Sequence, residues 1–198
     1  ASRWSCKSMR NRQSPFSISL SEKKIKFAQP KYSEDDQTLS KKVLPITTSV
    51  VSYAEKSKVS TILLKLAIGD IVEKTEEGAM IKTAILRLFV TDPSEKPFQY
   101  CMNNRPWKAN SITFNKFNAT IANSVEDCRV GKATHKGEFV SLDISDWFRR
   151  WVTDRKSNYG ITISHQGAFK NSVGFSSANV KSEEIVQRPR LNLACHGD

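Results

Sequence analysis

Residues 81–90 read Ile-Lys-Thr-Ala-Ile-Leu-Arg-Leu-Phe-Val, and this stretch decides the fold class. Within it Leu86, Leu88 and Val90 fall on one side of an extended chain, and Arg87 falls on the other. Successive side chains of a β-strand point to opposite faces, so this period of two predicts a strand with one buried face.

The same alternation recurs in both directions along the chain. It is present in residues 16–20, 25–27, 139–144 and 159–163, and turn-forming residues separate these stretches. Repeated short strands without long helical patterns are typical of a β-sandwich or a β-barrel. We therefore predict an all-β protein, with loops at 92–97, 103–110 and 130–137, among others.

One segment, residues 145–152, breaks the period of two. Trp147 and Trp151 are four residues apart, and Phe148 and Trp151 are three apart, which is the spacing of one helix face. The pattern predicts a helix of one or two turns with Ser145 as its N-cap. We expect Phe148 and Trp151 to face the core and Trp147 to be the more exposed tryptophan.

The chain of 198 residues has the length of one domain and shows no internal repeat or linker. Its first fifteen residues are basic and lack a clear pattern, so we predict an N-terminal arm over 1–15 and a single β-sandwich domain over 16–198. No apolar run is long enough to span a bilayer, so no membrane span is expected.

Charge suggests the class of partner. Lys and Arg number 31 against 20 Asp and Glu, which gives a net charge of +11. A protein this basic attracts polyanions, such as acidic polysaccharide or nucleic acid. The alternative is a solvated surface that only keeps the protein soluble. Nucleic acid is the less favoured polyanion, because the sequence contains no zinc finger, helix-turn-helix or RNP-like motif.

Cysteine usage suggests the compartment. Cys6, Cys101, Cys128 and Cys195 form an even set, which predicts two disulfides and leaves three pairings open. Asn118 begins an Asn-Ala-Thr triplet, an acceptor site for N-glycosylation. Together these features predict a secreted, extracellular glycoprotein. The alternative is a cytosolic protein with four reduced, buried cysteines.

Eight short motifs, taken in order, point to a family. They cover residues 31–39, 61–66, 81–91, 111–115, 139–151, 158–161, 173–177 and 188–193. Residues 84–90 are close to that family's Ala-x-Leu-Arg-Leu-Tyr-Val, and residues 188–191 are similar to its closing Arg-Pro-x-Leu. The chain thus resembles the disaggregatase-related (DNRLRE) β-sandwich family, which is also classed among carbohydrate-binding modules.

The resemblance has implications for fold and pairing. It implies a jelly-roll-like antiparallel β-sandwich with one short helix, in which the first and last strands lie side by side. That arrangement implies the pairs Cys6–Cys195 and Cys101–Cys128. The sequence departs from the family at Phe114, where the family has Trp, and in its cysteines and basic arm. These departures indicate an extracellular variant with a ligand of its own.

Binding is the chemistry that the sequence favours. Arg offers a planar fork that matches carboxylate or sulfate oxygens, and aromatic rings offer faces on which sugars can lie. The ligand-binding candidates are Arg105, Trp107, Lys108, Trp147, Arg149, Arg150, Arg155 and Lys156. The alternatives are that these arginines form a solvated helix face and that Trp107 is a plug over the end of the sandwich. A further basic and aromatic group, Trp4 with Lys7, Arg10 and Arg12, lies in the arm.

Catalytic and metal signals are weak. Three histidines, at 135, 165 and 196, are not spaced as a metal-binding helix or a catalytic triad. No cofactor is predicted apart from calcium, for which Asp35, Asp36 and Asp70 are candidate ligands by residue type. The first hypothesis is therefore a non-catalytic, lectin-like module for acidic or sulfated polysaccharide. The alternatives are a matrix or adhesion protein that binds another protein, and a polysaccharide-degrading enzyme.

Overall fold

The computed structural model describes residues 6, 16–19, 25–28, 49–55, 58–68, 81–109, 112, 116–165, 171–177 and 186–196. Only the backbone is described for residues 16–19, 25–28, 49–55, 58–60, 165, 171 and 172. Of the predicted basic arm, only Cys6 is among the described residues. The candidate calcium ligands Asp35, Asp36 and Asp70 and the arm's Trp4, Lys7, Arg10 and Arg12 lie outside them.

The described part of the chain contains twelve strands and one α-helix. The strands are β1 Phe16–Ser19, β2 Ile25–Ala28, β3 Ser49–Glu55, β4 Lys58–Ser60, β5 Ile62–Leu66, β6 Ile81–Asp92, β7 Ser94–Met102, β8 Glu126–Ala133, β9 Phe139–Asp143, β10 Ile161–His165, β11 Asn171–Ser176 and β12 Arg190–Cys195. The helix α1 spans Ser145–Thr153, a π-helical turn spans Phe117–Ile121, and a 3₁₀ turn spans Arg155–Ser157.

These strands form two antiparallel sheets, which confirms the predicted all-β sandwich with one short helix. The seven-stranded sheet has the order β1-β12-β6-β11-β3-β4, with β9 also paired to β6. The five-stranded sheet has the order β2-β5-β10-β7-β8. The long strand β6 is central to the first sheet, because it pairs with β12, β11 and β9. Strands β1 and β12, near the two ends of the chain, are neighbours.

The alternation seen in the sequence matches the burial of β6. Leu86, Leu88 and Val90 are at most 1% exposed and belong to the main core between the sheets, whereas Arg87 and Phe89 are half-buried on the outer face. Strand β5 contributes Ile62, Leu64 and Leu66 to the same core from the other sheet. The layered core therefore follows from the period of two on facing strands.

The helix α1 is where the sequence predicted it, with one difference at its start. Phe148 and Trp151 are core residues, as expected, at 0% and 1% exposure. Ser145, however, is the first helical residue and not the N-cap. The carboxylate of Asp143 accepts hydrogen bonds from the Ser145 backbone N (3.0 Å) and hydroxyl (2.6 Å), and the hydroxyl in turn accepts one from the Ala84 N (2.9 Å). Ser145 thus fastens the helix to β6.

Two predicted loops prove to be partly strand. In the 92–97 segment, Pro93 alone separates β6 from β7. In the 130–137 segment, β8 continues as far as Ala133. Both segments are rich in the charged and turn-forming residues that favour loops, and cross-strand pairing overrides that local preference. Residues 103–109 are irregular, as predicted.

Two disulfides link the described cysteines, Cys6 to Cys195 and Cys101 to Cys128. These are the pairs that the family resemblance implies. Cys6 is 2% exposed and lies in the main core, and its disulfide to Cys195 fixes it against β12. Among the described residues, no helix is long and apolar enough to cross a membrane.

Candidate polyanion-binding surface

Residues 103–109 form the loop that follows β7, and Asn103 anchors the beginning of this loop. Asn103 is 0% exposed, its backbone N donates to the Gly160 carbonyl oxygen (2.9 Å), and its side-chain amide donates to the Tyr159 carbonyl oxygen (3.2 Å). Its side-chain oxygen accepts a hydrogen bond from the Thr162 hydroxyl. A buried amide whose nitrogen and oxygen both have hydrogen-bond partners gives the loop a fixed direction as it leaves the sheet.

Trp107 stands in the middle of this loop and is half-buried. Its ring packs on a second, smaller apolar cluster, which consists of Leu63, Ile112, Phe117 and Ile121. Its indole Nε1 donates a hydrogen bond of 2.6 Å to the Tyr159 carbonyl oxygen. Trp107 therefore covers apolar surface on the outside of the five-stranded sheet, and part of its ring remains accessible to solvent.

The turn after α1 is equally constrained. The Asn158 side chain is buried, donates to the Leu66 carbonyl oxygen (2.8 Å) and accepts from the Gly160 N (3.2 Å). Gly160 has a φ of +74°, and a Cβ atom at this position would lie 2.1 Å from the Leu64 carbonyl oxygen. Only glycine combines this left-handed conformation with so close an approach of two backbones.

The Tyr159 carbonyl oxygen joins the two segments, because it accepts hydrogen bonds from both Asn103 and Trp107. Two basic segments that are far apart in sequence are thereby brought together. Arg105, Trp107, Lys108, Arg155 and Lys156 will be called the Trp107 surface. Its four basic side chains are exposed, and none makes a hydrogen bond or ion pair with another described residue.

Arg149, a sequence candidate for ligand binding, has its guanidinium directed at the protein. Its Nη1 donates to the carbonyl oxygens of Ile81 (3.2 Å) and Lys82 (2.7 Å), and its Nη2 contacts the Asp146 carboxylate. Its role in the structure is therefore to hold α1 to the beginning of β6. Arg150, in contrast, is exposed, one helical turn before the Arg155 segment.

Trp147 was expected to be exposed, and this expectation is wrong, because the residue is only 1% exposed. Its ring meets the Tyr100 ring edge to face, with ring centroids 5.7 Å apart, and the Arg129 guanidinium lies 4.3 Å from the Trp147 ring centroid. Trp147 thus joins the main core and offers no open face to a ligand.

Arg129 is the residue that sequence reasoning missed. It lies on β8, and its Nη1 donates to the Asp143 carbonyl oxygen (2.6 Å) while its Nη2 lies 3.5 Å from the Asp146 carboxylate. Asp146 is therefore shared between Arg129 and Arg149. No local pattern marks Arg129, since its partners come from another part of the chain.

Two ionisable groups beside this network have shifted pKa values. Burial raises the pKa of Asp143, but the hydrogen bonds from Ser145 and the positive charges of Arg129 and Arg149 outweigh it and hold that pKa below its ordinary value. Burial raises the pKa of the Tyr100 phenol, against the opposing effect of Arg129. At neutral pH Asp143 is therefore ionised and Tyr100 is neutral.

The glycosylation triplet is accessible. Asn118 and Thr120 are exposed on the π-helical turn, whose Phe117 and Ile121 point into the second apolar cluster. The Thr120 hydroxyl donates to the Lys116 carbonyl oxygen (2.6 Å). A glycan on Asn118 would project into solvent from the layer that also carries Trp107.

The remaining candidates for chemistry are dispersed. His135 is exposed and its Nδ1 lies 3.8 Å from the Glu138 carboxylate, and His196 is exposed too. Among the described residues, no group of three or more His, Cys, Asp or Glu side chains is placed to hold a metal ion.

No protein-family model matches this chain, and no curated protein matches it either. The assignment to the disaggregatase-related family therefore remains a proposal that rests on the motifs quoted above.

Proposed function

We propose that this protein is a secreted, non-catalytic module that binds acidic or sulfated polysaccharide through the Trp107 surface. One observation carries the proposal: the 2.6 Å hydrogen bond from Trp107 Nε1 to the Tyr159 carbonyl oxygen, which connects residues 52 positions apart. This bond and those of Asn103 place two basic segments beside one partly buried tryptophan.

The charge of the surface supports an anionic ligand. Residues 103–109 and 154–160 together contain four basic side chains and one acidic side chain, Asp154. The four basic groups are exposed and have no described partner, so their donors are available to carboxylate or sulfate oxygens. Arg150 adds a further exposed cation close to the 154–160 turn.

The half-buried Trp107 supports a sugar as the part of the ligand that carries the carboxylate or sulfate groups. An indole that is anchored by packing and a hydrogen bond and is only partly buried is already ordered, so it loses little side-chain entropy on binding. The family resemblance, to modules that bind carbohydrate, agrees with this ligand class. The two disulfides and the exposed Asn118 triplet support an oxidising, extracellular location.

The test is binding to immobilised heparin at several salt concentrations. We expect binding to weaken steeply between about 0.1 M and 1 M salt, because the Debye length falls from ~10 Å to ~3 Å over that range. The double variants R105Q/K108Q and R155Q/K156Q should each bind about tenfold more weakly, a loss of ~1.4 kcal/mol.

A matched control variant shows whether heparin binds at the Trp107 surface or is attracted by the net positive charge of the whole protein. The double variant K82Q/K132Q removes two charges as well, one from each sheet, at exposed positions outside the Trp107 surface. It should bind heparin almost as well as the wild type. An equal loss in all three double variants would mean that net charge alone attracts heparin. No binding to heparin or alginate at low salt would contradict the proposal and favour a protein-binding adhesion role.

A further inference from the structure

The outer face of the seven-stranded sheet carries a second group of cations around an aromatic ring. Strand register places Arg190 of β12 opposite Arg87 of β6, and Phe139 of β9 opposite Phe89 of β6. Leu86 and Leu88 point into the core, so Arg87 between them points away from it. Arg87, Phe89, Phe139 and Arg190 will be called the Phe139 surface.

The geometry of this surface is well defined. The guanidinium carbons of Arg87 and Arg190 lie 5.1 Å and 5.7 Å from the centroid of the Phe139 ring. Phe89 meets Phe139 edge to face, with centroids 5.4 Å apart. All four side chains are half-buried. The aromatic pair therefore holds both guanidinium groups in place without using their N–H donors.

Among the described residues, no acidic side chain pairs with the two arginines of the Phe139 surface. Like charges placed directly opposite each other on neighbouring strands destabilise a sheet. Within the described residues, the side chains of Arg87 and Arg190 form no ion pair or hydrogen bond. Glu138, next to Phe139 in sequence, lies instead near His135, 3.8 Å away. Two arginines with free planar forks beside one ring suit a bound carboxylate or sulfate group.

The Phe139 surface and the Trp107 surface lie on opposite sides of the sandwich. Trp107 packs on Leu63, which points outward from the five-stranded sheet, while the neighbouring Leu64 points into the core between the sheets. Two packed sheets, about 10 Å apart, therefore separate the two surfaces. A straight segment of polysaccharide cannot contact both surfaces at once.

We propose that the Phe139 surface is a second site for anionic glycan and that the protein bridges two polysaccharide chains. This inference rests on the function proposed above for the Trp107 surface. A module with two opposed sites links separate chains into a network, and its binding to a dense glycan layer gains from multivalency.

The test is a capture assay in which the protein is bound to immobilised heparin and then exposed to fluorescent soluble heparin. The wild type should capture the soluble chain. R87Q/R190Q should still bind the immobilised heparin through the Trp107 surface but capture about tenfold less soluble heparin. R87K/R190K keeps both charges and loses the planar forks, so its capture should be intermediate. K82Q/K132Q serves as the control with two charges removed elsewhere.

The outcomes separate the two proposals. Wild type that binds immobilised heparin but captures no soluble heparin would overturn the bridging inference and leave the Trp107 surface standing. Equal capture by R87Q/R190Q and the wild type would show that the Phe139 surface is not the second site. Wild type that does not bind immobilised heparin would overturn both. Analytical sedimentation of the wild type should show a monomer. A wild-type dimer that is absent in R87Q/R190Q would mean that the Phe139 surface binds a second copy of the protein and not a second glycan chain.

Discussion

The guanidinium of Arg129 lies 4.3 Å from the centroid of the Trp147 ring, and this contact packs the first turn of α1 against β8 of the five-stranded sheet. Arg129 also donates to the Asp143 carbonyl oxygen (2.6 Å) and pairs with Asp146. One side chain therefore connects β8, β9 and α1. A basic residue of this kind is structural, although its residue type alone would suggest a ligand-binding role.

Substitution of Arg129 by Gln should destabilise the fold without affecting heparin binding. The change removes a charge-assisted hydrogen bond and a cation–π contact, and we expect the free energy of unfolding to fall by about 2–3 kcal/mol. Arg129→Lys should be nearly as damaging, because an ammonium group cannot reproduce the planar fork. Urea denaturation at constant m-value measures this loss. A change below ~0.5 kcal/mol would show that the contact contributes little.

Asp143 should make stability depend on pH in the acid range. Its pKa in the folded state lies below the ordinary, unfolded value of about 3.9. The ionised carboxylate therefore contributes stability above that unfolded pKa, and the contribution disappears as pH falls through the folded pKa. In Asp143→Asn this contribution is absent, so the wild type should be the more stable protein at pH 6 and the difference should shrink below about pH 4.

Ser145→Ala provides a second measurement of how the Asp143 carboxylate contributes to stability. It removes the hydroxyl that donates to Asp143 (2.6 Å) and leaves the Ala84 N–H without its acceptor. We expect a loss of about 1–3 kcal/mol at neutral pH and a weaker acid dependence than that of the wild type. Chemical denaturation series from pH 3 to pH 7 would show both effects. An acid dependence that is identical in all three proteins would assign it to other carboxylates.

The β-architecture could be predicted because its signal is local. In residues 81–90 each side chain's face depends only on the period of two, so the core assignment of Leu86, Leu88 and Val90 followed from the sequence. The same holds for Phe148 and Trp151 on α1. Here the tertiary structure agrees with the local preference, and pattern reasoning is sufficient.

The surfaces could be predicted only in part, because their geometry comes from distant contacts. Trp147 is buried by Tyr100 and Arg129, and neither residue is close to it in sequence. The hydrogen bond from Trp107 to Tyr159 spans 52 residues, so nothing in either segment indicates that they meet. Composition marked both segments as basic, and the structure is needed to distinguish the free cations from the paired Arg149.

Gly160→Ala should be strongly destabilising, and Gly137→Ala provides the matched control. Both glycines have positive φ values, +74° at Gly160 and +86° at Gly137, but only Gly160 lies close to another backbone. Gly137→Ala should cost about 1–2 kcal/mol, which is the penalty of a left-handed conformation. Gly160→Ala adds a clash with the Leu64 carbonyl oxygen and should cost clearly more. Thermal or urea unfolding gives both values, and equal losses would show that the turn shifts to make room.

Trp107→Phe should distinguish the contribution of the Trp107 hydrogen bond from that of its aromatic ring. Phenylalanine keeps an aromatic ring on the second apolar cluster but loses the hydrogen bond to the Tyr159 carbonyl oxygen. We expect stability to fall by about 1 kcal/mol, and heparin affinity to fall as well, because only the Asn103 hydrogen bonds then hold the 103–109 segment to the 154–160 segment and Trp107 is no longer fixed beside it. Trp107→Ala, which also removes the packing, should lose more of both. If Trp107→Phe binds heparin as the wild type does, then the Trp107 hydrogen bond is not needed to assemble the surface, and the Asn103 contacts are sufficient to place the two basic segments side by side.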